Sequence, residues 1–180
     1  MASAAVPTLH LRPARPDDLE QILALYRTVA SHGGGLARAA DEITPTYVAH
    51  FLTASLATGV CVVAEDAVAE GGGGGALAGE IHAHALGPRV FAHVLGELTV
   101  AVHPAWQGRG VGRRLFEELL GAVVRDRPRI TRVELKARES NGHAIRLYES
   151  LGFRVEGRLE DRIQRSDGGL EADVAMAWLR

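Results

Sequence analysis

Cysteine is almost missing from this sequence: Cys61 is the only one. No disulfide can form within the chain, and a reducing, cytoplasmic setting is expected. Cys61 sits in the apolar run GVCVVAED, where a small buried core residue is the plain reading. Long apolar runs are missing too. No stretch reaches the roughly 18 apolar residues of a helical membrane span, so no membrane partner is expected. The opening residues, MASAAVPTLHLRPARPDD, lack a basic start followed by an apolar core, which argues against a secretory signal. Excess charge is lacking as well. A formal net charge of −2 leaves no global basic field, and nucleic acid is not an expected partner.

What is present suits one globular domain. The chain has 180 residues, long enough to bury a core, with 47% apolar and 23% charged residues. Residues 1–7 read as a loose tail and 8–180 as a single domain. TLHLRPA alternates like a first strand that Pro13 stops. Asp17 and Asp18 open a helix with Leu19, Ile22, Leu23, Leu25, Tyr26 and Val29 near helical spacing. SHGGGLARAADEIT reads as a loop, and Thr44–Pro45 is a cap followed by a first-turn proline. After the second helix come GVCVVAED, ALAGEIHAHAL and HVLGELTVAVH, three strands of antiparallel type. Gly71–Gly75 reads as a hairpin connection between the first two. A helix near 110–126, a strand (ITRVELKA), a helix (NGHAIRLYESL) and two closing strands complete a mixed α/β (α+β) domain, one sheet covered by helices.

The stretch QGRGVGRRL places Gly108, Gly110 and Gly112 at alternate positions directly before a helix. Glycine is a poor helix former. A helix N-terminus, however, carries unpaired N–H groups and partial positive charge, and glycines there bare the amides toward an anion. Arg109, Arg113 and Arg114 are unfavourable beside that positive end unless an anion arrives. Counting tests the rival phosphate motifs. G-x-G-x-x-G fails from Gly108, where Arg113 takes the last place, and from Gly110, where Leu115 does. No Lys-Ser/Thr follows either these glycines or Gly71–Gly75, so neither is a P-loop. A glycine-rich turn that binds nothing stays open on the glycines alone.

Two blocks carry a resemblance. Gln107-Gly108-Arg109-Gly110-Val111-Gly112 matches the Q-x-x-G-x-G signature of the GNAT acyl-coenzyme A N-acyltransferases, and LTVAVHPAWQGRGVGRRL resembles that family's strand–loop–helix. About 30 residues on, LKARESNGHAIRLYESLGF is similar to its second segment, with Asn141, Ala144, Leu147, Tyr148, Leu151, Gly152 and Phe153 in place. The resemblance implies a mostly antiparallel sheet splayed at the cofactor strand. It implies acetyl-CoA as cosubstrate, with the pantetheine arm on the backbone of Val100, Ala101 and Val102 and the pyrophosphate on the amides of Gln107 to Arg113. It assigns Asn141 to the cofactor arm, beside its plain reading as an N-cap. It makes Tyr148 the acid that protonates the leaving thiolate, against a plain reading as a core tyrosine.

Attack needs a neutral amine, and an alkyl ammonium loses its proton only near pH 10. Glu97, just before the cofactor strand, is the first candidate base; a salt-bridged or acceptor-binding carboxylate is the equal alternative. His93 is second, with His82, His84 and His103 weaker. Strand alternation places Glu97, Thr99 and Ala101 on one face and Leu98, Val100 and Val102 on the other, unless a bulge changes the parity. His82 and His84 share a strand face without a third ligand in sequence, so no metal is expected. The expected partner is a small-molecule amine, such as an amino acid, since the C-terminal segment resembles the branch that acetylates such compounds; the alternatives are a protein N-acetyltransferase acting on lysines or an N-terminus, and a CoA-sensing module without catalysis, against which Tyr148 and the intact glycine loop argue. Arg89 is a candidate for a substrate carboxylate, an exposed loop arginine being the plainer reading. The acceptor pocket is expected from residues 26–46 and the late strands. A homodimer through the C-terminal strands is also expected.

Overall fold

The computed structural model describes residues 9–33, 35–66 and 76–180. The tail at 1–7 and the glycine run at 71–75 lie outside the described residues. Among the described residues, seven strands form one sheet in the order β1-β2-β3-β4-β5-β7-β6. They are β1 (Leu9–Pro13), β2 (Val60–Asp66), β3 (Leu77–Ala85), β4 (Val94–Val102), β5 (Arg132–Arg138), β6 (Arg154–Gln164) and β7 (Leu170–Leu179). The helices are α1 (Leu19–Ser31), α2 (Pro45–Thr58), α3 (Val111–Asp126) and α4 (Gly142–Ser150).

The local signals act as chemistry predicts. The Thr44 hydroxyl accepts from Tyr47 N at 3.1 Å and Pro45 fills the first turn of α2. Asp18 accepts from Arg15 N at 2.6 Å and from Arg12 Nη2 at 2.7 Å, which fixes the entry to α1. The stretch between α1 and α2 is not wholly irregular: Ala40–Glu42 makes a short 3₁₀ turn, with Glu42 accepting from Ala39 N at 2.8 Å.

Alternation along β2 sorts the layers. Val62 and Ala64 join Leu115, Phe116, Leu119 and Val123 of α3 in one core, with Tyr148 of α4. Cys61 and Val63 join Tyr26 of α1 and Phe51 of α2 in the other. Helices therefore cover both faces. Every strand pairing is antiparallel except β4 with β5, which is parallel and consists of only two register pairs, Val94 with Arg132 and Leu95 with Val133. Beyond Leu95 the two strands part, leaving the edge of β4 that faces β5 without a strand partner.

A bulge lies in β4. Thr99 faces His82 and Gly96 faces His84, so Glu97 and Leu98 share one position opposite Ala83. Glu97 takes φ 51°, a left-handed conformation uncommon for a residue with a side chain. The bulge resets the parity. Leu95 packs in the α3 core, and so do Leu98, Val100 and Val102.

Candidate active site

The β4–α3 connection turns twice through left-handed backbone, at Gly108 (φ 72°) and Gly110 (φ 77°). A Cβ on either would meet nothing within 4 Å, so dihedral freedom rather than crowding calls for glycine there. Gly110 caps α3, which begins one residue later than the sequence reading, at Val111. The first helical hydrogen bond runs from Arg114 N to Gly110 O at 3.1 Å. The N–H groups of Val111, Gly112 and Arg113 therefore have no helical acceptor. The Gln107 side chain folds the loop back, Nε2 donating to the Val102 carbonyl at 3.0 Å.

These amides open into a cavity of about 1120 Å³ that lies in the splay between β4 and β5. Val100 and Val102 line it, together with Gln107, Gly108, Gly110, Val111, Gly112 and Arg113. Asn141 and Tyr148 line it from α4. Asn141 Oδ1 caps α4 by accepting from Ala144 N at 3.2 Å, which directs the other half of the amide, Nδ2, away from the helix. Tyr148 is buried between Phe116, 5.0 Å away between ring centroids, and Phe153, at 6.2 Å. Burial pushes its phenol up to about 12. It stays protonated through the neutral and mildly alkaline range.

Several of the sequence candidates are not part of the cavity wall, among them His93, His82, His84, His103 and Arg89. Ala101 turns its side chain into the α1–α2 core. Arg109 lies over the Trp106 ring, 5.4 Å from its centroid. Glu97 is exposed on the bulge, on the side where its charge acts on Tyr47 of α2. The cavity wall also holds residues that sequence reasoning missed, among them Trp106, Phe116, Arg138, His143 and Arg146. His143 and Arg146 lie in a stretch already singled out. Arg138 gave no signal, because an arginine ending a strand reads as solvated.

The far end of the cavity is lined by Ala30 of α1 and by Gly33, Gly35 and Leu36 of the α1–α2 connection. A Cβ on Gly35 would stand 3.4 Å from Asn141 Nδ2. Behind β4, on the α1–α2 face, Glu80 is fully buried and accepts three donors. These are the Tyr26 hydroxyl at 2.6 Å, the Cys61 thiol at 3.0 Å and His82 Nδ1 at 3.1 Å. Burial first, and Glu80 second, push the Tyr26 and Cys61 protons well above their ordinary range. His82 also stacks on Phe51 at 4.0 Å, and among the described residues no group of three His, Cys, Asp or Glu side chains is placed to hold a metal.

A strand edge left open beside a parallel partner, followed by bare amides at a helix start, can be compared with known proteins. A family model for the acetyltransferase (GNAT) domain matches residues 57–155, more than half of the chain. The chain belongs to the GNAT family. Its sheet, splayed at β4, is that fold: a GNAT-family acetyltransferase from Streptococcus pneumoniae superposes with a TM-score of 0.83 at 21% identity, covering 96% of this chain and 100% of the other. Among curated relatives, N-alpha-acetyltransferase RimI of Mycobacterium tuberculosis is 46% identical over 70 residues, 39% of this chain and 40% of the relative. The L-methionine sulfoximine/L-methionine sulfone acetyltransferase of Salmonella typhimurium is 36% identical over 63 residues, 35% of this chain and 36% of the relative. The chain thus spans about two fifths of the length of these curated relatives. In this GNAT protein the family match begins at Ala57, so α1, nearly all of α2 and the connection between them, which lines the far end of the cavity, lie outside it.

Proposed function

We propose that this protein transfers an acetyl group from acetyl-CoA to the primary amine of a small molecule, an amino acid or related amine, by direct attack with both substrates bound. The residues fit the cofactor: free helix-start amides, glycines with open space at their Cβ positions, and an unpaired strand edge face one cavity. Acetyl-CoA supplies the thioester. The backbone of Val100, Ala101 and Val102 offers hydrogen bonds along the open edge to the amides of an extended arm. The amides from Gln107 to Arg113 neutralise a pyrophosphate at the positive end of α3. Asn141 Nδ2 donates to the arm. As the nitrogen–carbon bond forms and the carbon–sulfur bond breaks, the Tyr148 hydroxyl donates its proton to the departing thiolate. Glu97, exposed on the acceptor side of β4, takes a proton from the amine, with His93 the second candidate.

The observation that carries the small-molecule reading is the approach of the α1–α2 connection to Asn141 at the far end of the cavity. The α1–α2 connection meets Asn141 through Gly35, which suits a compact acceptor better than an extended peptide. The second reading, acetylation of a protein N-terminus, rests on the similarity to RimI over 70 residues. A thiol-release assay over amino acids, polyamines, aminoglycosides and peptides separates the two. Turnover on amino acids and none on peptides is the expected result. Turnover on peptides alone replaces the reading with the second. Tight acetyl-CoA binding without turnover on any acceptor overturns both.

A further inference from the structure

Arg138 ends β5 at the acceptor end of the cavity, and the chemistry above gives it no task. Along β5 the side chains of Val133, Leu135 and Ala137 go into the α3 core. Arg138 follows Ala137 and so projects to the opposite face, toward the α1–α2 connection. Its contacts there are long. Nη2 lies 3.4 Å from the Leu36 carbonyl, and Nη1 lies 3.8 Å from Glu171 Oε1 of β7. Nε is buried and has no hydrogen-bond partner among the described residues. A guanidinium carries five N–H donors in a rigid fork. Here most of that fork is uncommitted, at the wall of a cavity, in a region where a buried donor without an acceptor is unfavourable.

The nearby carboxylates do not complete the fork. Glu171 Oε2 accepts from Ser140 N at 3.2 Å, and Ser140 holds its carboxyl below the usual carboxylate range. Glu171 thus remains an anion beside Nη1 and fixes the plane of the guanidinium. Asp173, which faces Arg138 across the β5–β7 register, is paired with Arg162 Nε at 3.3 Å. Nε has no accessible surface, so an incoming group meets the guanidinium at its Nη1–Nη2 end, which is held only by the long contacts to Glu171 and Leu36. The two terminal N–H groups of an arginine match the two oxygens of a carboxylate.

We propose that Arg138 binds the carboxylate of the acceptor, which makes the acceptor a free amino acid, an amine with a carboxylate close by, rather than a polyamine, an aminoglycoside or a peptide. This rests on the reading of the site as an acetyltransferase with a small amine acceptor. Its measure is discrimination between an amino acid and the matching amino-acid carboxamide.

Steady-state kinetics on the wild type, Arg138→Lys and Arg138→Gln, each with the acid, its carboxamide, a dipeptide and spermidine, test it. The wild type is expected to favour the acid over its carboxamide about tenfold or more in kcat/KM, the scale of a charge-assisted bidentate pair against a neutral contact. Arg138→Gln should erase that ratio while the KM for acetyl-CoA stays within twofold, which also reports an intact fold. Arg138→Lys should keep part of it, having charge without a fork. A wild type that favours the carboxamide, the dipeptide or spermidine overturns the proposal, and so does a ratio that survives Arg138→Gln. Calorimetric titration of the amino acid onto the CoA-bound protein reads the same contact without turnover. Binding lost in Arg138→Gln sustains the carboxylate site even where the acetyl-transfer reading fails, and equal binding in both proteins overturns it.

Discussion

Tyr148 shows how packing sets chemistry at one side chain. Its ring lies between Phe116 and Phe153, and the loss of water pushes the phenol up to about 12. The sign follows directly. A raised phenol is protonated through the whole range in which amines become nucleophilic, so its own ionisation does not produce the alkaline limb of a pH–rate profile below about pH 11. The same shift favours folding fully below about pH 10, and that contribution is lost as pH rises from about 10 through 12. Tyr148→Phe should lower kcat by about 10²-fold or more, the usual range for a general acid, and leave the KM for acetyl-CoA within a few-fold. Stopped-time assays from pH 7 to 10 check both numbers and the unchanged shape of the profile. Tyr148 and Asn141 became candidates through the GNAT resemblance, and their seven-residue spacing put them on about the same face of the segment that forms α4 and its cap. Arg138 was not legible in the sequence, because its neighbours Leu36 and Glu171 come from residues 102 and 33 positions away. Glu97 was legible as a candidate, but its exposure depends on a bulge that alternation does not announce.

At the scale of the element, α3 sets helix propensity against ligand binding. Gly110 is held at φ 77°, where an added Cβ is strained, so Gly110→Ala should destabilise the protein by about 1–2 kcal/mol. Gly112 is different. It lies inside the first turn at ordinary helical geometry, and a Cβ there would touch Val102 Cγ2 at 3.8 Å and Leu147 Cδ2 at 4.0 Å without conflict. Gly112→Ala should therefore stabilise the unliganded protein by up to about 1 kcal/mol. It also puts a methyl group on the cavity wall beside the bare amides, so the Kd for acetyl-CoA should rise. Paired denaturant titrations and calorimetry check whether stability and affinity move in opposite directions. The helices were legible as periodic runs, and Thr44–Pro45 marked one start to the residue. The exact start of α3 was not, because a left-handed cap and a first helical residue look alike in a run of alternate glycines.

At the scale of the molecule, the sheet is two halves joined by two residue pairs. β1 to β4 make one half and β5 to β7 the other, with Val94–Arg132 and Leu95–Val133 between them. A ligand that lies in the splay and touches both β4 and α4 binds the folded form only. At 100 times its Kd, acetyl-CoA should add about 2.7 kcal/mol of stability. For a chain of this length that corresponds to a rise in Tm of roughly 5–10 °C, measurable by scanning calorimetry, and free acetate at the same concentration should give no such rise. The alternation of strands and helices was legible, and so was the mixed α/β class. The place of β5 between β4 and β7 was not written in any local pattern, since strand order is decided by long-range pairing.

Scarcity gives the molecule one more property. Cys61 lies under both α1 and α2, its thiol kept protonated by burial and by Glu80. A maleimide in solution finds no nucleophile until that layer lifts. The lone thiol is a timepiece for the breathing of α1 and α2 against the sheet. Each labelled molecule records one excursion, and comparing labelling rates with and without an acceptor reads whether the acceptor changes how often that layer opens.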